Sequence, residues 1–262
     1  MLEACPYTAD EMMTIAAARN LRNGAVCFVG IGLPSAAANL ARLTHAPDIV
    51  LIYESGPIGA KPSALPLSIG DGELSETADA VVSIPEMFSY WLQGGRIDVG
   101  FLGAAQIDRF ANINSTVIGD YDRPATRLPG AGGAPEIAAF SKEVLITLRH
   151  GKRWFVEKVD FTTSGGYFRG GDSRERMGLP GKGPTAVITD LGILTPDQHT
   201  KELTLTALHP GISIEQAVDA TGWPLKVAPE IETTAPPTAT EITVLRNLHA
   251  GSAPPRRRGL AD

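Results

Sequence analysis

A lone acid at the end of an apolar run is the first feature that could do chemistry. Glu54 follows Ile49-Val50-Leu51-Ile52-Tyr53 and precedes Ser55-Gly56. In open α/β sheets, ligands bind beyond the carboxyl ends of the strands. An acid there, with Gly56 and Gly59 permitting close backbone approach, is an active-site candidate. The alternative is a strand-end carboxylate that caps the following turn. A second feature is Gly130-Ala131-Gly132-Gly133, three glycines in four residues before a helix-forming stretch. Backbone N–H groups exposed in such a turn hold an anion or a developing oxyanion; otherwise the glycines serve only left-handed turn geometry. Gly30-Ile31-Gly32 is a third glycine turn. It does not complete a dinucleotide-binding GxGxxG, because position 35 is serine.

Other constellations fail. His45, His150, His199, His209 and His249 are scattered without metal-ligand spacing and read as structural or surface residues. The sequence has neither a GxSxG elbow nor a P-loop. Cys27 lies in the apolar run Ala25–Val29 and reads as a buried thiol, Cys5 lies in an irregular N-terminal segment, and the two suggest no disulfide framework.

These residues need a scaffold. Thr8 and Glu11 have capping-box spacing, which predicts a helix to about Asn23. Apolar runs predict strands at Ala25–Val29, Asp48–Tyr53, Ala80–Ile84, Asp98–Leu102, Glu143–Leu148, Thr185–Thr189 and Leu203–Ala207. Helices are predicted at Ser35–Leu43, Pro85–Gln93, from Gly133 to Phe140, at Ser213–Thr221 and at Thr240–Leu248. Alternation of strands and helices predicts an α/β fold: an open, mostly parallel sheet flanked by helices. Residues 1–249 are expected to form a single domain, followed by a flexible tail over 250–262. Pro57–Ser75 and the glycine-rich stretch Ser164–Pro184 read as loops; the latter, with Arg169, Arg174 and Arg176, has the length of a lid or binding loop.

The chain has 262 residues, 43% of them apolar, and a formal net charge of −6. That suffices for a sizeable core and gives no electrostatic footprint for nucleic acid. The run Arg256–Arg258 reads as solvated charge. No stretch reaches the roughly 18 apolar residues of a membrane span, and the N-terminus has no signal-peptide pattern. The expectation is a cytoplasmic protein with no membrane partner.

Together the motifs resemble the class I coenzyme A transferases, and among them the β subunit of glutaconate CoA-transferase-like enzymes. Val29-Gly30-Ile31-Gly32-Leu33-Pro34 is similar to the family's first glycine turn, and Glu54-Ser55-Gly56 to its E-x-G motif. Leu102–Asp108 with Asn112-Ile113-Asn114 is like the family's GA-x-QVD…GN-x-N stretch, and Gly130–Gly133 like its G-x-G-G turn. Ser164-Gly165-Gly166-Tyr167, His209-Pro210-Gly211 and Thr221-Gly222-Trp223 extend the likeness over nearly the whole chain. Ala134 stands where many members have phenylalanine, and Ala111 where glycine is common.

The resemblance implies a fold of the NagB/RpiA/CoA transferase type, with Glu54 as nucleophile and a glutamyl-CoA thioester as intermediate in ping-pong exchange. It implies oxyanion or CoA-binding roles for Gly30, Gly32, Gly132, Gly133 and Gln106. The loop reading adds CoA phosphate contacts at Arg169, Arg174 and Arg176, near the CoA entrance. Coenzyme A is then substrate and covalent intermediate, with no permanently bound cofactor and no metal. An α subunit of similar fold would complete an α2β2 enzyme. Two other readings stay open: an acyl-CoA or ring-opening hydrolase with Glu54 as general base, and a non-catalytic CoA-ester-binding subunit.

Overall fold

A computed structural model describes residues 6–251. Cys5, the Arg256–Arg258 run and most of the expected tail lie outside the described residues. The chain begins with α1 (Ala9–Arg19), β1 (Val26–Phe28), α2 (Leu33–Leu43), β2 (Val50–Ile52), β3 (Pro57–Ile58), α3 (Gly72–Glu76), β4 (Ala80–Val81) and α4 (Ile84–Glu86), which runs into a π-helix over Met87–Leu92. Next come β5 (Val99–Gly103), β6 (Gln106–Ile107), β7 (Ile113–Asn114), β8 (Val117–Gly119), β9 (Pro124–Arg127), α5 (Ala134–Phe140) and β10 (Glu143–Thr147). The remainder is α6 (Ser173–Arg176), β11 (Pro184–Ile188), β12 (Gly192–Pro196), β13 (Leu203–Leu208), α7 (Ile214–Asp219), β14 (Lys226–Thr233) and α8 (Ala239–Gly251).

Ten strands form one sheet in the order β14-β13-β12-β11-β10-β5-β1-β2-β3-β4. The central set β11-β10-β5-β1-β2 is parallel throughout. Antiparallel strands extend it at both sides. The expected mostly parallel α/β sheet is therefore observed. Its central strands alternate between two cores. Cys27, Val29, Leu51, Tyr53, Phe101 and Leu145 face the layer of α1, α2 and α8. Phe28, Ile52, Leu102, Val144 and Ile146 face α5 and the irregular segments beyond β5 and β10. A sheet buried on both faces demands such continuous apolar runs.

The capping box forms as predicted: Thr8 N donates to Glu11 Oε2 at 2.8 Å, and Glu11 N to Thr8 Oγ1 at 3.1 Å. The helix stops at Arg19, four residues before the expected end, where Asn20 turns its side chain back onto Ala16 O. Helix α8 runs through Gly251, so Ala250 and Gly251 belong to it and not to a tail. It closes the layer through a fork from Arg19 Nε and Nη2 to Glu241, both bonds at 2.7 Å. The expected strand Ala80–Ile84 shrinks to exposed Ala80–Val81, because Ser83 caps α4.

His150 is buried, 3.9 Å from the Phe155 ring centroid, with Nε2 2.9 Å from Thr221 Oγ1. Burial lowers its pKa from 6.5 to about 4. As pH falls through this window the unfolded chain takes a proton that the folded chain refuses, so stability falls with it. Above the window the ring is neutral in both states and the contribution is flat. Burial lowers the pKa of His209 as well and acts in the same direction. The urea midpoint is expected to hold steady just above neutrality and to drop below it. The His150 share of the slope is about 1 kcal/mol per pH unit, and His150→Asn should remove that share.

Candidate active site

Parallel pairing places the carboxyl ends of β2, β1 and β5 at one edge of the sheet. The chain leaves β1 toward β2 on one side, and later strands add on the other, so β1 marks the switch point where such sheets open a crevice. Glu54 stands here, at the tip of a hairpin. Gly56 N donates to Tyr53 O at 2.9 Å and Tyr53 N to Pro57 O at 3.1 Å, leaving Glu54 and Ser55 as a two-residue loop between β2 and β3. Gly56 has φ +117, and a Cβ there would strike the Val82 carbonyl. Both neighbours of the acid are tied down. Tyr53 is fully buried, with its hydroxyl 3.1 Å from Ser35 Oγ and 3.3 Å from Asn39 Nδ2. Ser55 Oγ donates to Ile69 O at 2.5 Å.

The half-buried Glu54 carboxylate accepts no hydrogen bond and pairs with no cation among the described residues. It therefore does not cap its turn. The acid borders two cavities that share Gly132 and Gly133. One, of about 240 Å³, is lined by Phe28, Gly30, Ile31, Phe101 and Gly103. The other, of about 550 Å³, is lined by Pro85, Phe88, Ser89, Gln93, Pro135 and Glu136. Gly133 lines both without a side chain. A Cβ there would lie 3.4 Å from Glu54 Cδ and 2.6 Å from Phe88 Cζ. The N–H groups of Gly30, Gly132 and Gly133 donate to nothing among the described residues.

Gly133→Ala tests this geometry, because the added methyl must displace Phe88 and crowd the carboxylate. A shift of about 1 Å at reacting atoms costs on the order of 10²-fold in rate. The variant is expected to lose about that much kcat while keeping its circular dichroism spectrum.

The other expected site residues lie elsewhere. Gly32 caps α2 at φ +83 and lines a separate cavity with Leu33 and Leu65. Gln106 is consumed in a clamp. Its Oε1 accepts from Asn114 Nδ2 at 2.7 Å and Asp160 N at 3.1 Å, and its Nε2 donates to Asp160 Oδ2 at 2.9 Å. The 164–184 stretch begins beside β7, where Ile113 N donates to Ser164 O at 3.0 Å, and ends at the start of β11. Tyr167 Oη donates to Lys182 O and Pro184 O at the start of β11, and strand starts lie opposite the ends that carry Glu54. Arg174 is buried and spends its guanidinium on five carbonyls: Gly181 at 2.9 Å, Gly165 at 3.3 Å, Gly166 at 3.1 Å, Ala138 at 2.7 Å and Ala139 at 3.2 Å. Arg176 pairs with Asp172 at 3.1 Å, and exposed Arg169 lines a different cleft with Phe110 and Lys158.

Sequence reading missed Phe88, Ser89, Gln93 and Glu136. The segment of the first three was legible as a helix, but its π register, with Gln93 N donating to Phe88 O at 2.8 Å, follows from no spacing rule. Among the described residues no group of three His, Cys, Asp or Glu side chains is placed to hold a metal ion, and no helix is long and apolar enough to cross a membrane.

Comparison with known proteins bears on the same segments. The coenzyme A transferase family model matches residues 10–220. The chain is 65% identical over 247 residues to the β subunit of 3-oxoadipate CoA-transferase from Pseudomonas knackmussii, covering 94% of this chain and 95% of that one. It is 38% identical over 260 residues to the β subunit of glutaconate CoA-transferase from Acidaminococcus fermentans, covering 97% of each. The crystal structure of glutaconate coenzyme A-transferase from that organism superposes with a TM-score of 0.89 at 36% identity, covering 96% of this chain and 98% of that one. The chain belongs to the coenzyme A transferase family, as a β subunit of its class I branch.

Proposed function

We propose that this chain is the catalytic-glutamate subunit of a heteromeric enzyme that moves CoA between an acyl-CoA donor and a carboxylic acid, with 3-oxoadipate as the acid. The observation that carries the reading is the Glu54 carboxylate, free of partners among the described residues and set where two cavities meet beside a glycine that leaves it room. The choice of acid rests on the 65% identity to the 3-oxoadipate CoA-transferase β subunit.

A Glu54 oxygen attacks the thioester carbonyl carbon. The C–S bond breaks, CoA leaves as thiolate with the bonding pair, and an acyl-glutamyl anhydride remains. The thiolate then attacks the glutamyl carbonyl of the anhydride. The donor acid leaves as its carboxylate, and Glu54 becomes a CoA thioester. The acceptor carboxylate reverses both steps. Each tetrahedral centre carries an oxyanion, for which the free N–H groups of Gly30, Gly132 and Gly133 are the donors. One such donor is worth about 3 kcal/mol of barrier.

Among the described residues, Glu54 and Glu136 are the only charged groups lining either cavity. The second carboxylate of a dicarboxylic acid therefore draws its counter-charge from the α subunit, in an α2β2 assembly located in the cytoplasm. CoA enters as substrate, and no resident cofactor takes part.

The test is borohydride trapping in the assembled enzyme. Reduction should inactivate only in the presence of acyl-CoA and should map to the peptide containing Tyr53-Glu54-Ser55, because thioesters are reduced and carboxylates are not. Release of free acid and CoA without an acceptor, and without an adduct, would instead make Glu54 a hydrolytic base.

A further inference from the structure

Three polar side chains are fully buried in the apolar layer between the sheet and α2. Ser35 and Asn39 lie one turn apart on α2, and Tyr53 directly follows β2. They share the layer with Ala36, Ala38, Leu40 and Leu51. Polar groups in such a place cost free energy unless they are paired. Here they pair with one another. Tyr53 Oη lies 3.1 Å from Ser35 Oγ and accepts from Asn39 Nδ2 at 3.3 Å. Asn39 Nδ2 also donates to Ser35 O at 3.0 Å. Its Oδ1 accepts from Arg42 Nε at 3.2 Å and Nη2 at 3.1 Å, and Arg42 Nη2 reaches on to Pro62 O at 2.7 Å. A guanidinium only donates, so Arg42 turns the amide with its NH₂ toward the phenol.

The network begins where the sheet stops. The backbone ladder between β1 and β2 ends with Val29 N donating to Ile52 O at 2.8 Å. Past that point, among the described residues, no backbone hydrogen bond joins residues 30–32 to residues 53–55. Yet Glu54 stands on one of these segments and Gly30 on the other, and both line the 240 Å³ cavity. Side chains replace the ladder here. Tyr53 directly precedes Glu54, and Ser35 lies in the first turn of α2, which the Gly30–Gly32 segment enters. We infer that Ser35, Asn39 and Tyr53 are positioning residues. They hold the Glu54 carboxylate in register with the Gly30 N–H, so that nucleophile and oxyanion donor meet the same carbonyl group. Arg42 braces the network from the outer side. The inference rests on Glu54 being the nucleophile.

Tyr53→Phe removes one oxygen and keeps the ring. In the assembled enzyme it should lower kcat about tenfold, a loosening short of the 10²-fold loss that a 1 Å displacement brings. Both KM values should stay within about twofold, because the network touches neither substrate. The single variant strands the Ser35 hydroxyl, so its unfolding midpoint should fall as well. Adding Ser35→Ala removes that orphan, while Asn39 keeps the carbonyl of position 35 and its bonds from Arg42. Apolar replacement of both partners of a buried hydrogen bond can be nearly neutral. The midpoint of the double variant should therefore recover, and its kcat should stay low. A purely structural network predicts the reverse, with kcat per folded enzyme unchanged throughout. Borohydride trapping at saturating acyl-CoA gives a second reading: Glu54 should be labelled to the same final extent in both variants, at a rate reduced by the same factor as kcat. A kcat that is unchanged, that returns together with stability, or that holds while KM rises would overturn the positioning role even though Glu54 is labelled. Absence of label in the unmodified enzyme would overturn the nucleophile reading, and the positioning role would fall with it.

Discussion

Replacing Glu54 by alanine in the assembled enzyme is expected to reduce CoA exchange by at least about 10⁴-fold, the scale set by removal of a covalent nucleophile. No second carboxylate takes over. Glu136 lines the larger cavity but not the smaller one, where Gly30 lies. Glu54→Gln should be equally inactive, because a carboxamide forms neither the anhydride nor the thioester. Stability should move by no more than about 0.5 kcal/mol, since the side chain is half-buried, makes no hydrogen bond among the described residues, and leaves the anchors of Tyr53 and Ser55 intact. Exchange assays and urea unfolding on the same preparations decide the matter. Exchange at ordinary turnover in the alanine variant would end the nucleophile reading, and acceptor-independent hydrolysis lost in parallel would leave a base.

The second large effect is on folding. Arg174→Ala should destabilise the chain by about 3–5 kcal/mol. The guanidinium is buried and is shared by five carbonyls from α5, the 165–166 turn and Gly181. Truncation strands these acceptors in a space that water fills poorly, and each buried unsatisfied group costs about 1–3 kcal/mol. Arg174→Lys should recover only a minority of the loss, because an ammonium lacks the planar fork that reaches carbonyls on both sides. Because the guanidinium holds the last turn of α5 and not its Gly133 start, turnover per folded enzyme at low temperature should change little. Unfolding midpoints, with activity corrected for the folded fraction, are the measurement. A stability change under about 1 kcal/mol would show the carbonyls to be satisfied by water.

Glu54 was legible because a strand buried on both faces must be apolar throughout, so a carboxylate directly after Ile49–Tyr53 marks the strand's carboxyl end. The Gly132-Gly133 turn was legible because glycines before a helix tolerate geometry that other residues resist. That the two meet could not be read, since β2 and α5 are far apart in sequence and only the strand order joins them. Strand β14 escaped notice because it is a sheet-edge strand with Lys226, Pro229, Glu230 and Glu232, a composition that reads as loop. β12 escaped because glycine and proline bound it. Arg174 misled for a general reason. A cation in a glycine-rich stretch suggests an anion outside, and nothing local reveals that the chain's own carbonyls have been folded around it.

The closure of α1 and α2 by α8 has a consequence for synthesis. α2 ends at Leu43 and α8 begins at Ala239, so about 200 residues separate the strands' helical cover from the helix that completes it. At about 5–20 residues per second, a ribosome needs roughly 10–40 s to cross that interval. Until Ile242, Leu245 and Leu248 emerge, the apolar groove they fill between the first two helices stands open to solvent, and Arg19 waits for Glu241. The segment that carries Glu54 is thus made early and sealed late, which makes the nascent chain a client for holding chaperones through most of its translation.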